Sequence, residues 1–342
     1  MKQNEILKNK VLAVTKENFN ELALDIFEYQ SENCEIYKKY INTLNINLEE
    51  IKSLNQIPFL PIDFFKKHTI LSNPETSQTV TFKSSGTTGQ VTSKHIVNDP
   101  DFYLQIATKQ FEKTYQPLNQ TIVLALLPSY LERGESSLVY MVQHFISQSG
   151  NDLSGFFIHD LKALVKTIKS AIQQYPNRKI LLIGVTYALL DLAESDADLS
   201  FLKYNNQLMV METGGMKGKR TEMIRDEVHA ILKQSFYRTE IFSEYGMTEL
   251  LSQAYSKGNG IFEISDTLKL LLREINDPFS ILDKNNKTKT GGVNCIDLAN
   301  VDSVSFIETK DLAVYVDESA NYFKIIGRFD NSDQRGCNLM VQ

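Results

Sequence analysis

Two stretches decide the fold, Thr121-Ile-Val-Leu-Ala-Leu-Leu127 and Lys179-Ile-Leu-Leu-Ile-Gly-Val185. Each is a short, nearly unbroken apolar run, the pattern of a strand buried on both faces. Between them Leu161, Leu164, Val165, Ile168, Ala171, Ile172 and Tyr175 recur at helical spacing until Pro176-Asn177 stops them. Leu208-Met-Val-Met211 reads as a third buried strand, breaking at Gly214-Gly215 before a helix that carries Ile224, Val228, Ile231 and Leu232. Thr239-Glu-Ile-Phe-Ser243 gives a fourth. Helix alternating with buried strand predicts an α/β fold with mostly parallel sheets flanked by helices.

The flanks read differently. Glu17 to Tyr29 places Phe19, Leu22, Ala23, Ile26 and Phe27 on one helical face. Ile57-Pro-Phe-Leu-Pro-Ile-Asp-Phe-Phe65 is interrupted by Pro58 and Pro61, which predicts an extended connector packing aromatic side chains. A β-like run, Thr79–Lys83, leads into Ser84-Ser-Gly-Thr-Thr-Gly89. After Gly258 short β-rich pieces (Val304–Ile307, Leu312–Val316, Tyr322–Ile326) alternate with turn-rich sequence, predicting a smaller, antiparallel, β-rich lobe. The expected organisation is a helical segment over 1–78, an α/β nucleotide- and substrate-binding core over 79–257, and the β-rich lobe with a short tail over 258–342.

Composition narrows the function. Of 342 residues 42% are apolar and 23% charged, an ordinary globular balance. The 36 basic and 42 acidic side chains leave a formal charge of −6, which argues against a nucleic-acid-binding face. Cys34, Cys295 and Cys337 lie far apart, which excludes a cysteine zinc site and a disulfide framework and suits a reducing compartment. The longest apolar runs are six residues, against about 20 for a membrane span. The charged opening Met-Lys-Gln-Asn-Glu lacks the apolar core of a leader. A cytoplasmic protein with no membrane partner is expected.

Four motifs carry candidate chemistry. In Ser84-Ser-Gly-Thr-Thr-Gly89, Gly86 and Gly89 allow a tight loop whose N–H groups face an anion, and Ser84, Ser85, Thr87 and Thr88 add hydroxyl donors. The Lys-Ser/Thr pair of a Walker loop is missing, and a plain hydrophilic hairpin would share this composition. Ser243-Glu-Tyr-Gly-Met-Thr-Glu249 ends a buried strand, where open α/β sheets bind ligands. There Tyr245 offers a ring face, Gly246 permits close approach, and Glu249 suits Mg²⁺. A strand running into a helix with an acidic first turn reads the same way. Glu308-Thr-Lys-Asp-Leu312 and Gly327-Arg-Phe-Asp330 supply an aspartate for ribose hydroxyls and an arginine for a phosphate or hydroxyl. Either short motif alone reads more readily as a turn.

Taken together and in this order, the four resemble the adenylate-forming superfamily, whose members make acyl-AMP from a carboxylate and ATP. Ile57-Pro-Phe-Leu-Pro-Ile62, Ser84–Gly89, Leu127-Pro-Ser-Tyr-Leu-Glu-Arg133 and Gly327-Arg-Phe-Asp…Arg335-Gly-Cys337 are similar to the acyl-protein synthetases of bacterial luminescence (LuxE-type). The matching segments run from about residue 57 onward. This resemblance implies the fold of the superfamily's N-terminal domain, and ATP and Mg²⁺ as cofactors. It implies a fatty or other carboxylic acid as substrate, and a reductase or transferase component as acyl-acceptor or acyl-donor protein. Ser84, Ser85, Gly86, Thr87, Thr88 and Gly89 would hold the phosphates. Gly214 and Gly215 would let adenine approach the backbone, and Tyr245, followed by Gly246, would stack on it. Thr248 would contact the α-phosphate, Glu249 would bind Mg²⁺, Asp311 would take the ribose hydroxyls with Arg328 beside it, and Asp330 falls at the superfamily's hinge.

Only twelve residues follow Asp330 and none is lysine, so the superfamily's C-terminal domain and its catalytic lysine are expected to be missing. Charge stabilisation would then rest on Mg²⁺, the hydroxyl loop and Arg328 or Arg335. Cys337 lies seven residues past Asp330, an extended reach of about 24 Å, and is the candidate acyl acceptor; a buried, idle cysteine is the alternative. An acyl-CoA ligase similar to phenylacetate–CoA ligases and a non-catalytic nucleotide- or acyl-binding partner are the competing functions. His144 is expected to be packed in a helix, His159-Asp160 and Arg133-Gly-Glu-Ser-Ser137 to be loops, and Lys217, Lys219 and Arg220 to open a helix.

Overall fold

The computed structural model describes residues 2–84, 91–128, 134–215, 219–221, 223–284 and 289–329. The chain divides into two compact units. One draws on Met1–Gln110, Gly246–Ala254 and Glu263–Ser332, the other on Phe111–Tyr245 and Tyr255–Phe262.

In the second unit the apolar runs are strands. Thr121–Leu126 is buried at all six positions, and Lys179–Val185 at all but its first. They pair in parallel with Ile122 opposite Ile180, and the sheet continues through Leu208–Thr213 to Phe242–Tyr245. Gly155–Phe156 adds a short parallel strand on the other side of Thr121–Leu126. The strand order therefore reverses between Thr121–Leu126 and Lys179–Val185, the arrangement that opens a crevice at the carboxyl ends of parallel strands. Gly184 is required there, because a Cβ would stand 2.8 Å from the Leu126 Cβ on the neighbouring strand. Helices Ser137–Ser149, Leu161–Gln174, Thr186–Ala193 and Arg225–Phe236 connect the strands. Two loop candidates are caps. Ser136 accepts the Val139 N–H, and Asp160 accepts the Ala163 N–H at 2.8 Å. His144 lies within Ser137–Ser149, as expected.

The helix after Gly214-Gly215 begins at Arg225, not at Lys219-Arg220. Arg220 instead bonds Asp191 and Glu194 on the neighbouring helix end, so its charge is matched without a helix start. Lys217 lies outside the described residues.

The first unit holds an antiparallel meander of Leu268–Arg273, Gly291–Asp297, Phe306–Tyr315 and Tyr322–Arg328. Two of the short pieces expected there are one ten-residue strand, Phe306–Tyr315. Its odd-numbered residues from Ile307 to Tyr315 are buried and the even ones half-buried. Glu308 and Lys310 therefore occupy the outer face of a continuous strand rather than a turn. Leu60–Pro61 pairs with this strand in parallel at Ile307 and Glu308. Phe59 of the connector packs against Phe306, with Phe27 and Tyr37 of helices Phe19–Asn33 and Glu35–Thr43 on the same ring, at centroid distances of 5.8–6.3 Å. Val80–Lys83 and Lys94–Val97 form a separate hairpin.

Residues 297–305, between two meander strands, are buried throughout although five of the nine are polar. A buried connection is tolerated only where its polar groups find partners inside. Gln30 supplies several: Nε2 donates to the Asn300 and Val301 carbonyls, and Oε1 accepts the Ser305 N–H at 2.9 Å. Ser72 Oγ donates to the Ser303 carbonyl, and Asp302 accepts from Asn4, Asn73 and the Lys8 ammonium. Among the described residues no helix is long and apolar enough to cross a membrane.

Candidate functional site

The sequence from Gly246 to Ser252 lies in the first unit and makes a turn, not the first turn of a helix. Within it Leu250 N–H bonds the Met247 carbonyl at 3.1 Å. The other contacts come from far along the chain. His95 Nδ1 lies 2.8 Å from the Thr248 carbonyl oxygen, Asn300 Nδ2 donates to the Glu249 carbonyl at 2.9 Å, and Asp297 Oδ2 accepts the N–H groups of Leu251 and Ser252 at 2.7 and 3.0 Å. Asp297 Oδ1 takes the Ser252 hydroxyl at 2.6 Å and the Ala299 N–H at 3.0 Å.

These contacts fix proton positions. A carbonyl oxygen only accepts, so Nδ1 of His95 carries the hydrogen and Nε2 accepts the Ser303 hydroxyl at 3.2 Å. Burial drives the His95 pKa down to about 4, against a smaller opposing pull from its bond to Thr248, and the ring is neutral at pH 7. Ser252 must give its proton to the Asp297 carboxylate, so the Thr267 hydroxyl, 2.7 Å away, donates to Ser252 and accepts from the Gln110 amide. Burial raises the Asp297 pKa, and its four donors work against that rise. Within this frame Thr248 is half-buried and the Glu249 side chain fully buried.

Asp311 and Arg328 face each other in register on adjacent strands of the same unit. Arg328 Nε is 3.4 Å from Asp311 Oδ1, and the side chains are 12% and 10% exposed. The geometry is not that of a hydrogen bond, so the buried Nε–H of Arg328 makes none among the described residues. Behind the pair, Arg273 bonds Asn294 Oδ1, Glu308 Oε1 and the Thr309 carbonyl at 3.1, 3.3 and 2.8 Å, and lies over the Phe329 ring. Thr309 Oγ1 in turn accepts the Asp311 N–H at 3.1 Å.

The second unit carries Gly214, Gly215 and Tyr245. The two glycines follow strand Leu208–Thr213 with φ of +75° and +86°, a left-handed pair that glycine adopts without strain. Tyr245 is 8% exposed, with its ring 5.9 Å from that of Phe262 at 61°. Beside them lies a buried cluster. Glu212 accepts Arg225 Nε at 3.0 Å and Thr186 Oγ1 at 3.3 Å, with His229 Nε2 3.5 Å away. Burial alone would raise the Glu212 pKa, but Arg225 and His229 hold it down at about 2. His229 turns the same nitrogen, Nε2, to both Glu212 and Ser243, so the three do not form a nucleophile–base–acid relay.

Of the phosphate-loop candidates only Ser84 is described. It closes the hairpin with Ser93, its N–H bonded to the Ser93 carbonyl and its hydroxyl oxygen accepting the Ser93 N–H, which leaves only its O–H to donate. Ser85, Gly86, Thr87, Thr88, Gly89, Asp330 and Cys337 lie outside the described residues. Thr248, Glu249, Gly246, Asp311 and Arg328 belong to the first unit, Gly214, Gly215 and Tyr245 to the second. Sequence reasoning missed His95, Asp297, Asn300 and Ser303, whose partners lie up to 208 positions away and leave no local spacing to read.

No protein-family model matches the chain, and no curated protein does. It is similar to the solved structure titled "Crystal structure of CmiS6", with 10% identity, TM-score 0.47, and 73% of this chain and 60% of that one covered. It is also similar to a fatty acyl-adenylate ligase from L. pneumophila, solved with acyl adenylate and pyrophosphate. There the identity is 13%, the TM-score 0.46, and the coverage 83% of this chain and 54% of that one. The chain thus spans little more than half the length of these two proteins. The class its own architecture defines is mixed α/β, with strands and helices alternating through the parallel sheet.

Proposed function

We propose that the chain is an ATP- and Mg²⁺-dependent acyl-activating enzyme. It joins a carboxylic acid, of which a fatty acid is the favoured class, to AMP, and passes the acyl group to a protein thiol. The observation that carries this reading is the Asp311–Arg328 pair. A buried N–H donor without a hydrogen bond beside a carboxylate fits a vicinal diol, whose hydroxyls both donate and accept. It occurs at the two motif positions that the resemblance assigns to the ribose.

In this reading Thr248 presents its hydroxyl to the α-phosphate from a turn held by His95 and by Asp297 and Asn300. Preorganisation of that kind favours the transition state, because nothing has to reorganise as charge develops. The donor chemistry suits Mg²⁺ at Glu249, a hard carboxylate oxygen of the sort that holds the ion together with substrate phosphates. The ion would neutralise charge building on the departing pyrophosphate. A carboxylate oxygen of the acid attacks the α-phosphorus and pyrophosphate leaves. A thiolate then attacks the acyl carbon and AMP leaves. Cys337 is assigned that second nucleophile.

Carboxylate-dependent exchange of labelled pyrophosphate into ATP tests the first step. Exchange with Mg²⁺ and one of a panel of short, long and aromatic acids supports it, and Glu249→Gln should lower it at least tenfold. Silence across the panel would leave a non-catalytic nucleotide- or acyl-binding protein. Release of acyl-CoA by the purified chain in step with ATP consumption would replace protein acylation with coenzyme A ligation. Hydroxylamine-labile label on the chain, lost in Cys337→Ser while exchange persists, would support transfer through that thiol.

A further inference from the structure

The turn that bears Thr248 and Glu249 is set from outside, and its partners converge on one buried loop. Asp297 takes the N–H groups of Leu251 and Ser252, and Asn300 Nδ2 donates to the Glu249 carbonyl. Ser303 reaches the Thr248 carbonyl through His95, by holding Nε2 of the ring whose Nδ1–H makes that bond. Asp297 at the end of its strand, and Asn300 and Ser303 in the loop that follows, thus address backbone groups between Thr248 and Ser252, Ser303 through His95. The loop is itself fastened by Gln30, Ser72 and Asp302, so its position does not depend on the turn.

We infer that His95 is a positioning residue: held in one tautomer by Ser303, it fixes the Thr248 carbonyl and with it the aim of the Thr248 and Glu249 side chains. A serine hydroxyl would satisfy a lone buried carbonyl at less steric cost. The imidazole instead spans two segments and is fixed on its far side by Phe65, whose ring meets it edge-on at 5.5 Å. Burial holds the ring neutral, and a neutral ring has one donor and one acceptor, both of which are used here. Asn300 acts beside it on the next carbonyl. Its Oδ1 is buried without a hydrogen-bond partner among the described residues, so the amide is oriented by the Glu249 carbonyl alone.

The functional part of this inference rests on the proposed role of the turn, and the test separates the two. In the full-length protein, hydrogen exchange over residues 246–253 is compared in the wild type, His95→Leu, His95→Asn and Ser303→Ala. Asparagine places an N–H donor near the position of Nδ1, whereas leucine has none. His95→Leu should speed exchange in that segment at least tenfold while residues 121–126 stay protected. His95→Asn should recover most of the protection, and Ser303→Ala, which frees the tautomer and preserves the core, should show a smaller increase. In pyrophosphate exchange His95→Leu should lower kcat at least tenfold with KM for ATP changed less than threefold, and His95→Asn should restore kcat. Unchanged protection in both His95→Leu and Ser303→Ala would overturn the inference, as would His95→Asn behaving like His95→Leu. A wild type silent in pyrophosphate exchange brings down the proposed function instead, while the hydrogen-exchange comparison still decides whether His95 holds the turn.

Discussion

Gly292 lies so close to Arg273 that a Cβ on it would stand 2.6 Å from the guanidinium carbon. That carbon is not free to withdraw, because Asn294, Glu308 and the Thr309 carbonyl hold the group in a buried site. Gly292→Ala should therefore destabilise the protein by about 1–3 kcal/mol, measured by urea unfolding. In an Arg273→Ala background the same substitution should cost markedly less, since neighbours that share one space are not additive. Equal costs in the two backgrounds would show that Gly292 is required for some other reason.

Lys8 fastens the N-terminal helix Gln3–Leu12. Its ammonium lies 3.0 Å from Asp99 and 2.6 Å from Asp302, with its side chain only 8% exposed. The two carboxylates raise its pKa against the opposing effect of burial, the first of the influences on it. Lys8→Met keeps the stem and removes the charge, which leaves half-buried Asp99 and buried Asp302 without the cation they share. A loss of about 3 kcal/mol in unfolding free energy is expected. A loss below about 0.5 kcal/mol would mean that water replaces the ammonium.

The parallel strands are legible in the sequence because burial on both faces leaves an apolar run that few other structures produce, as in Ile180–Val185. Phe306–Tyr315 reads instead as separate pieces because Glu308, Lys310 and Asp311 interrupt its apolar residues. A strand tolerates those charges on an outer face or where partners meet them, and neither condition shows in the local sequence. The loop at 297–305 is illegible for a stronger reason. Asp297, Asn300, Asp302, Ser303 and Ser305 read as surface, and partners distant in the chain, at residues 4, 8, 30, 72, 73, 95, 249, 251 and 252, make their burial possible. At the candidate site Thr248 and Glu249 stand out by motif, whereas the groups that hold their turn do not.

His95 makes stability depend on pH. Its pKa falls from 6.5 to about 4 on burial, so between those values the unfolded chain binds a proton that the folded chain does not. Stability from this group is complete above pH 6.5 and is lost as pH falls toward 4, by up to about 3 kcal/mol. The difference in unfolding free energy between wild type and His95→Asn should accordingly shrink over that window. A difference that stays constant from pH 7 to pH 4 would show that the ring titrates normally in the fold.

Asp311 and Arg328 separate a binding site from a structural ion pair. A pair that serves only the strands would be felt in stability; one that receives a diol would be felt in ATP affinity. Asp311→Asn keeps the shape of the side chain, one acceptor oxygen and the backbone N–H bond to Thr309, so the register should survive. It removes the charge that draws hydroxyl protons, and about 1.4 kcal/mol of lost binding corresponds to tenfold. In pyrophosphate exchange KM for ATP should rise about tenfold with kcat little changed, the pattern of an interaction made equally in the ground and transition states. Arg328→Met should act in the same direction, and the double variant should fall short of the sum, because both side chains address one group. If KM for ATP stays at the wild-type value in both single variants while the unfolding midpoint drops, the pair belongs to the strands and the nucleotide must be held elsewhere.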